Sequence, residues 1–203
     1  MTRSISDTLI EYQQFKTEQR QVIMLSIIEP EGKAVTRTFR LDRAWDRVLE
    51  EEAEKRKMSV SNLLENIVSD YSHFYRWMEV FHAITFSPST FKEFLEVIDE
   101  EELKRIGEKV GKLVPVHGFL VRGDKITPEV ARYLVTQLMG RYGNWCRVAD
   151  HENQRAYYYI KHDYGPKWSV FLRAYISSFY ANVLGTRIEC EPVADNLLIK
   201  FVD

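Results

Sequence analysis

The chain has 203 residues, 45% of them hydrophobic and 29% charged, with a formal net charge of −2, which suits one or two soluble globular domains with a core of ordinary size. Its two cysteines, Cys146 and Cys190, exclude a disulfide scaffold and have no paired metal spacing, as expected in a reducing cytoplasm. The near-neutral total does not decide about nucleic acid, because a DNA reader needs a local basic surface and not a basic sum.

Residues 1–16 lack a basic region followed by a long apolar run, so no signal peptide is expected, and Met24 is a second candidate initiator. The apolar stretch 22–28 stops at Glu29-Pro30, far short of the roughly 20 residues a membrane span needs. It reads as a strand, followed by a turn at 29–32 and a second strand at 34–41 rich in Thr, Val and Phe. From Arg43 the pattern becomes helical. Trp45, Val48, Leu49 and Ala53 fall on one face, and Glu50, Glu51, Glu52, Glu54, Lys55, Arg56 and Lys57 fill the rest.

Met58 and the Ser59-Val60-Ser61 restart precede a second helix marked by Leu63, Leu64, Ile67, Val68 and Tyr71. Its aromatic continuation through Phe74, Trp77 and Phe81 either runs on or breaks near His82. Ser87-Pro88 opens a further helix with Phe91, Phe94, Leu95 and Ile98 on its apolar face, and another is expected over 99–110, ending at Gly111. Residues 114–122 read as helix or strand. Thr127-Pro128-Glu129 combines an N-cap, proline at the first helical position and an early acid, and opens a helix to about Arg141. Strands are expected at 145–148 and 155–161, an amphipathic helix at 166–184 with Gly185 as its C-cap, and two last strands at 187–191 and 196–202.

The expected fold is therefore α+β. It divides into an N-terminal arm (1–33), a strand-helix-helix unit (34–82), a helical connector (83–142) and a C-terminal ββαββ domain (143–203).

The informative segment is Thr36-Arg-Thr-Phe-Arg-Leu-Asp42, then one helix, then Lys57-Met-Ser-Val-Ser-Asn-Leu-Leu64 opening the next. A unit of about 40 residues closes no core alone. Pairing the strand with its copy in a second chain and interlocking the helices gives a symmetric dimer. Strand alternation then sends Phe39 and Leu41 to a dimer core shared with Trp45, Leu64 and Ile67. Thr36, Thr38 and Arg40 face the other way, on a ribbon narrow enough for the DNA major groove, where arginine can bond guanine and threonine can meet base edges. The start of the second helix, at Ser59, Val60, Ser61 and Asn62, offers free backbone N–H groups to a phosphate.

Residues 35–71 resemble the ribbon-helix-helix family, the MetJ/Arc type of repressors, in the alternating strand ending Phe39-Arg40-Leu41-Asp42, the acid-rich first helix and the Met58-Ser-x-Ser-x-Leu-Leu junction. The resemblance implies homodimerisation, strand readout of DNA bases by Thr36, Thr38 and Arg40, and phosphate anchoring at Ser59 to Asn62. Lys57 departs from it, standing where many members carry glycine. Further on, Ile160-Lys-His-Asp-Tyr-Gly-Pro-Lys-Trp-Ser-Val-Phe-Leu172 resembles a His-Asp-x-Gly-x-Lys-Trp-Ser-x-Phe-Leu stretch of archaeal proteins that begin with a ribbon-helix-helix segment.

The expected protein is a cytoplasmic, archaeal, homodimeric transcription regulator that binds double-stranded DNA. Its rear domain either senses a small-molecule effector or assembles tetramers. A second reading keeps the dimer and replaces DNA by a protein partner, as in an antitoxin. His162-Asp163 lacks an evident nucleophile beside it, and Cys146, Cys190, His151 and His162 carry no metal motif. No Gly-rich phosphate loop, His-Glu-x-x-His, paired CxxC or Gly-x-Ser-x-Gly occurs, so no catalysis, metal or cofactor is expected.

Overall fold

The computed structural model describes residues 32–150, 157–193 and 196–202. The strand expected at 22–28, His151 and the start of the strand expected at 155–161 lie outside them. Within the described residues the chain is α+β, a helical N-terminal part followed by helices packed on a four-stranded antiparallel sheet.

Helix α1 (Arg43–Lys55) starts where the Asp42 carboxylate accepts a hydrogen bond from the Ala44 amide at 2.8 Å. Its end is a Schellman motif, with the Met58 amide bonded to the Ala53 carbonyl and the Lys57 amide to that of Glu54, both at 3.0 Å. That motif needs a left-handed residue, and Lys57 supplies it with φ +54°. The position where the resemblance expects glycine thus keeps a glycine conformation without the glycine. A side chain there costs about 1 kcal/mol, so Lys57→Gly is expected to leave the fold intact and raise thermal stability by up to about 1 kcal/mol. A lower melting temperature would contradict this account of the junction.

Helix α2 (Val60–Asp70) runs without a break through a π-helical turn (Tyr71–Tyr75) into α3 (Arg76–Val80). The break expected near His82 is a second Schellman closure, with His82 at φ +49° and the Ala83 amide bonded to the Met78 carbonyl. Helix α4 (Pro88–Val97) follows, capped by Ser87.

Helix α5 (Glu100–Arg122) is capped by Asp99, whose carboxylate accepts from the Glu102 amide at 2.8 Å. Three glutamates in its first turn suit the positive end of the helix dipole. The helix does not end at Gly111 as expected. It continues through Gly111 and Pro115 to Gly123, which closes it at φ +83°. Gly111 serves packing, since its bare Cα lies against the backbone of Tyr175.

Helix α6 (Pro128–Tyr133) continues as a π-helix (Leu134–Tyr142). Strands β1 (Arg147–Asp150) and β2 (Tyr157–Lys161) come next, then α7 (Pro166–Phe179) with a π-helical end (Tyr180–Leu184), then β3 (Ile188–Val193) and β4 (Asn196–Phe201). All neighbours in the order β1-β2-β4-β3 are antiparallel, with Ile160 opposite Leu197 and Cys190 opposite Ile199.

Period-two alternation buries Tyr158, Ile160, Leu197 and Ile199 on one face of the sheet. They join Trp168, Phe171, Leu172, Tyr175, Ile176 and Phe179 of α7 in one core. Leu95, Leu103, Phe119, Val130, Leu134 and Met139 belong to that same core. The segment expected to be a connector over 83–142 is therefore mostly built into the C-terminal domain, because its apolar stripes close over α7. Among the described residues no helix is long and apolar enough to cross a membrane.

Candidate nucleic-acid interface

Residues 33–42 lie outside the C-terminal sheet and carry no strand pairing in the single chain. The strand expected at 34–41 is therefore not shown in the single chain. Thr36, Thr38 and Arg40 are all exposed. The alternate positions, Phe39 at 59% and Leu41 at 39% exposure, are also uncovered, which is unusual for an aromatic and a leucine side by side in register.

The helices that follow this segment in sequence are little buried as well. Of α1 only Ala53 is buried, and of α2 only Leu63. Trp45 is 67% exposed, Val48 and Ile67 are uncovered too, and Leu64 is half-buried. All five residues assigned to a dimer core thus remain at least partly open in one chain.

The charge around them is local. Between residues 33 and 47 stand Lys33, Arg37, Arg40, Arg43 and Arg47 against Asp42 and Asp46 alone, although the whole chain is slightly acidic. Asp42 is engaged as the cap of α1. Arg43 and Arg47, one helical turn apart and both exposed, belong to this basic surface. In the sequence they are inconspicuous, because they sit on the polar face of α1, whose glutamates further along dominate the pattern.

At the head of α2 the Ser59 hydroxyl accepts from the Asn62 amide at 3.1 Å. These two groups satisfy each other. The amides of Val60 and Ser61 precede the first intrahelical bond, which Leu63 makes to the Ser59 carbonyl. They are the donors left for an anion, at the positive end of an 11-residue helix.

The C-terminal domain grips the other end of this helix. Trp77 is fully buried, with the Arg76 guanidinium 4.6 Å and that of Arg122, from α5, 4.9 Å from its ring centre. Phe74 stacks on Tyr142 at 5.4 Å, and Arg141 pairs with Asp70 at 3.1 Å. Phe74 and Trp77 of the aromatic run 73–77 thus pack against the π-helix at 134–142 and α5. Desolvation draws the Arg122 guanidinium pKa down, against the pull of Tyr133 and Asp124.

His162 and Asp163 part company in the structure. Asp163 pairs with Arg147, while His162 Nε2 lies 2.7 Å from the Ser169 hydroxyl, both residues buried. Lys167 donates to the Glu96 carbonyl at 2.8 Å and the Trp168 indole to that of Trp145 at 2.9 Å, so both fasten α7 to its neighbours. Burial pushes the Cys146 thiol up to about 12, and Cys190 lies against the Ser177 hydroxyl at 3.4 Å. Among the described residues no three His, Cys, Asp or Glu side chains are grouped to hold a metal ion.

Comparison with family models, curated proteins and solved structures finds no match for this chain.

Proposed function

We propose that the protein is a sequence-specific DNA-binding transcription regulator that acts as a homodimer. Residues 34–82 would form a ribbon-helix-helix module. Two copies of the 36–41 segment pair as an antiparallel ribbon, Thr36, Thr38 and Arg40 meet base edges in the major groove, and the Val60 and Ser61 amides hold a phosphate on each side. Cytoplasmic localisation goes with this reading.

The observation that carries it is the coincidence of two exposed surfaces on one short stretch. Exposed apolar side chains (Phe39, Leu41, and Trp45 and Ile67 on the helices that follow) share the stretch with exposed basic and hydroxyl-bearing ones (Thr36, Thr38, Arg40). A second copy covers the first set, and polyanionic DNA suits the second.

The test is selection of binding sites from random duplex DNA by the purified protein, with its mass followed by sedimentation. The expected result is a dimer, an operator with two half-sites, and affinity that falls steeply with salt. Arg40→Ala is expected to weaken specific binding by about 1–3 kcal/mol without changing the fold. A folded Arg40→Ala protein that binds the selected site unchanged would refute strand readout. A dimer with no salt-sensitive DNA binding would instead favour the reading in which the module only dimerises and the rear domain grips a protein.

A further inference from the structure

We infer that the groove between α5 and α7 is a binding site for a small zwitterion, specifically a free α-amino acid. The groove measures about 780 Å³, within the range of small-molecule sites. One lip is a single stripe of α5, where Glu101, Lys104, Glu108 and Lys112 alternate in sign one turn apart. The other lip is α7, which brings Arg173.

Among the described residues no ion pair holds any of these five side chains, although the helical spacing would let neighbours on α5 pair. The ion pair that α5 does form, Arg105 with Glu102, leaves the stripe untouched. Both signs are therefore available to a ligand. A ligand of one sign would gain one set and meet repulsion from the other, whereas an ammonium and a carboxylate on one small molecule satisfy both.

Ser169, Ser177, Ser178 and Asn182 add polar groups to the lining, and the hydroxyl of the buried Ser169 lies 2.7 Å from His162 Nε2. The walls are rigid for a separate reason, because α5 and α7 touch backbone to backbone at Gly107 and Gly111, so the two charged lips keep their spacing. The inference concerns binding alone and stands apart from the DNA reading, so failure of either leaves the other intact.

Calorimetric titration of the full-length protein with the common L-amino acids, beside succinate and putrescine as ligands of one sign, tests it. The expected result is saturable binding of at least one amino acid and none of succinate or putrescine at the same concentration. Arg173→Ala and Lys104→Ala should each weaken that binding about tenfold or more while keeping the melting temperature of the parent. No binding across the amino acids overturns the inference. Succinate or putrescine binding as tightly as the best amino acid, or full affinity in both variants, does the same.

Discussion

Replacing Gly111 with alanine is expected to destabilise the protein by about 2–4 kcal/mol, although alanine is the better helix former by about 1 kcal/mol. A methyl group at Gly111 would overlap the carbonyl group and Cα of Tyr175. One turn earlier, a Cβ on Gly107 would stand 2.7 Å from the Phe171 carbonyl oxygen and 2.8 Å from the Ala174 Cβ. The obstacle in each case includes the backbone of α7, which no rotamer change can remove. The two helices would have to separate, and α7 carries Phe171, Leu172, Tyr175 and Ile176 into the core.

Gly118 provides the control, since it lies in the same helix with nothing within 4 Å of an added Cβ. Gly118→Ala should therefore gain up to about 1 kcal/mol from helix propensity alone. Opposite signs for the two substitutions in chemical denaturation are the expected outcome. A Gly111→Ala protein as stable as its parent would mean that α5 and α7 are not in close contact.

What the sequence made legible follows the range of the interactions involved. Helix starts at Ser59, Ser87, Asp99 and Thr127 were readable because a cap involves only a side chain and an amide three residues away. Gly185 was readable as a terminator for the same reason and does adopt φ +66°. Gly111 has the same local look, yet its role is set by Tyr175, 64 residues further along the chain.

The three π-helical stretches leave no mark in an apolar repeat judged at 3.6 residues per turn. The helical segment before β1 looked like a connector because its stripes are complementary to α7, which sequence periodicity does not reveal. Of the candidate interface, the side-chain types at 36–41 and the helix start at Ser59 were legible, while the strand expected there is not shown. Arg43 and Arg47 are inconspicuous in sequence, and what covers the exposed Phe39, Trp45 and Ile67 is not encoded in any local pattern.

That surface makes the attachment of the N-terminal helices to the rest of the molecule a question of its own, because α1 and α2 bury so little within one chain. Trp77 is the main fixture. Truncating a fully buried tryptophan costs about 3–5 kcal/mol, and here the loss would extend to Arg122, itself 3% exposed and lying over the indole. Trp77→Ala is expected to lose about 4 kcal/mol and to admit proteases at residues 82–87, between α3 and α4, before the C-terminal core unfolds.

Trp77→Phe keeps an aromatic face for Arg122 and also removes an indole N–H that has no hydrogen-bond partner among the described residues. It should lose less than half as much. A double-mutant cycle between Trp77→Ala and Arg122→Met should show coupling of about 1–2 kcal/mol. Zero coupling would mean that the guanidinium only borders the ring. With coupling present, the helix from Val60 to Val80 is one continuous strut, bearing the candidate phosphate donors at its head and held by Arg122 of α5 at its foot.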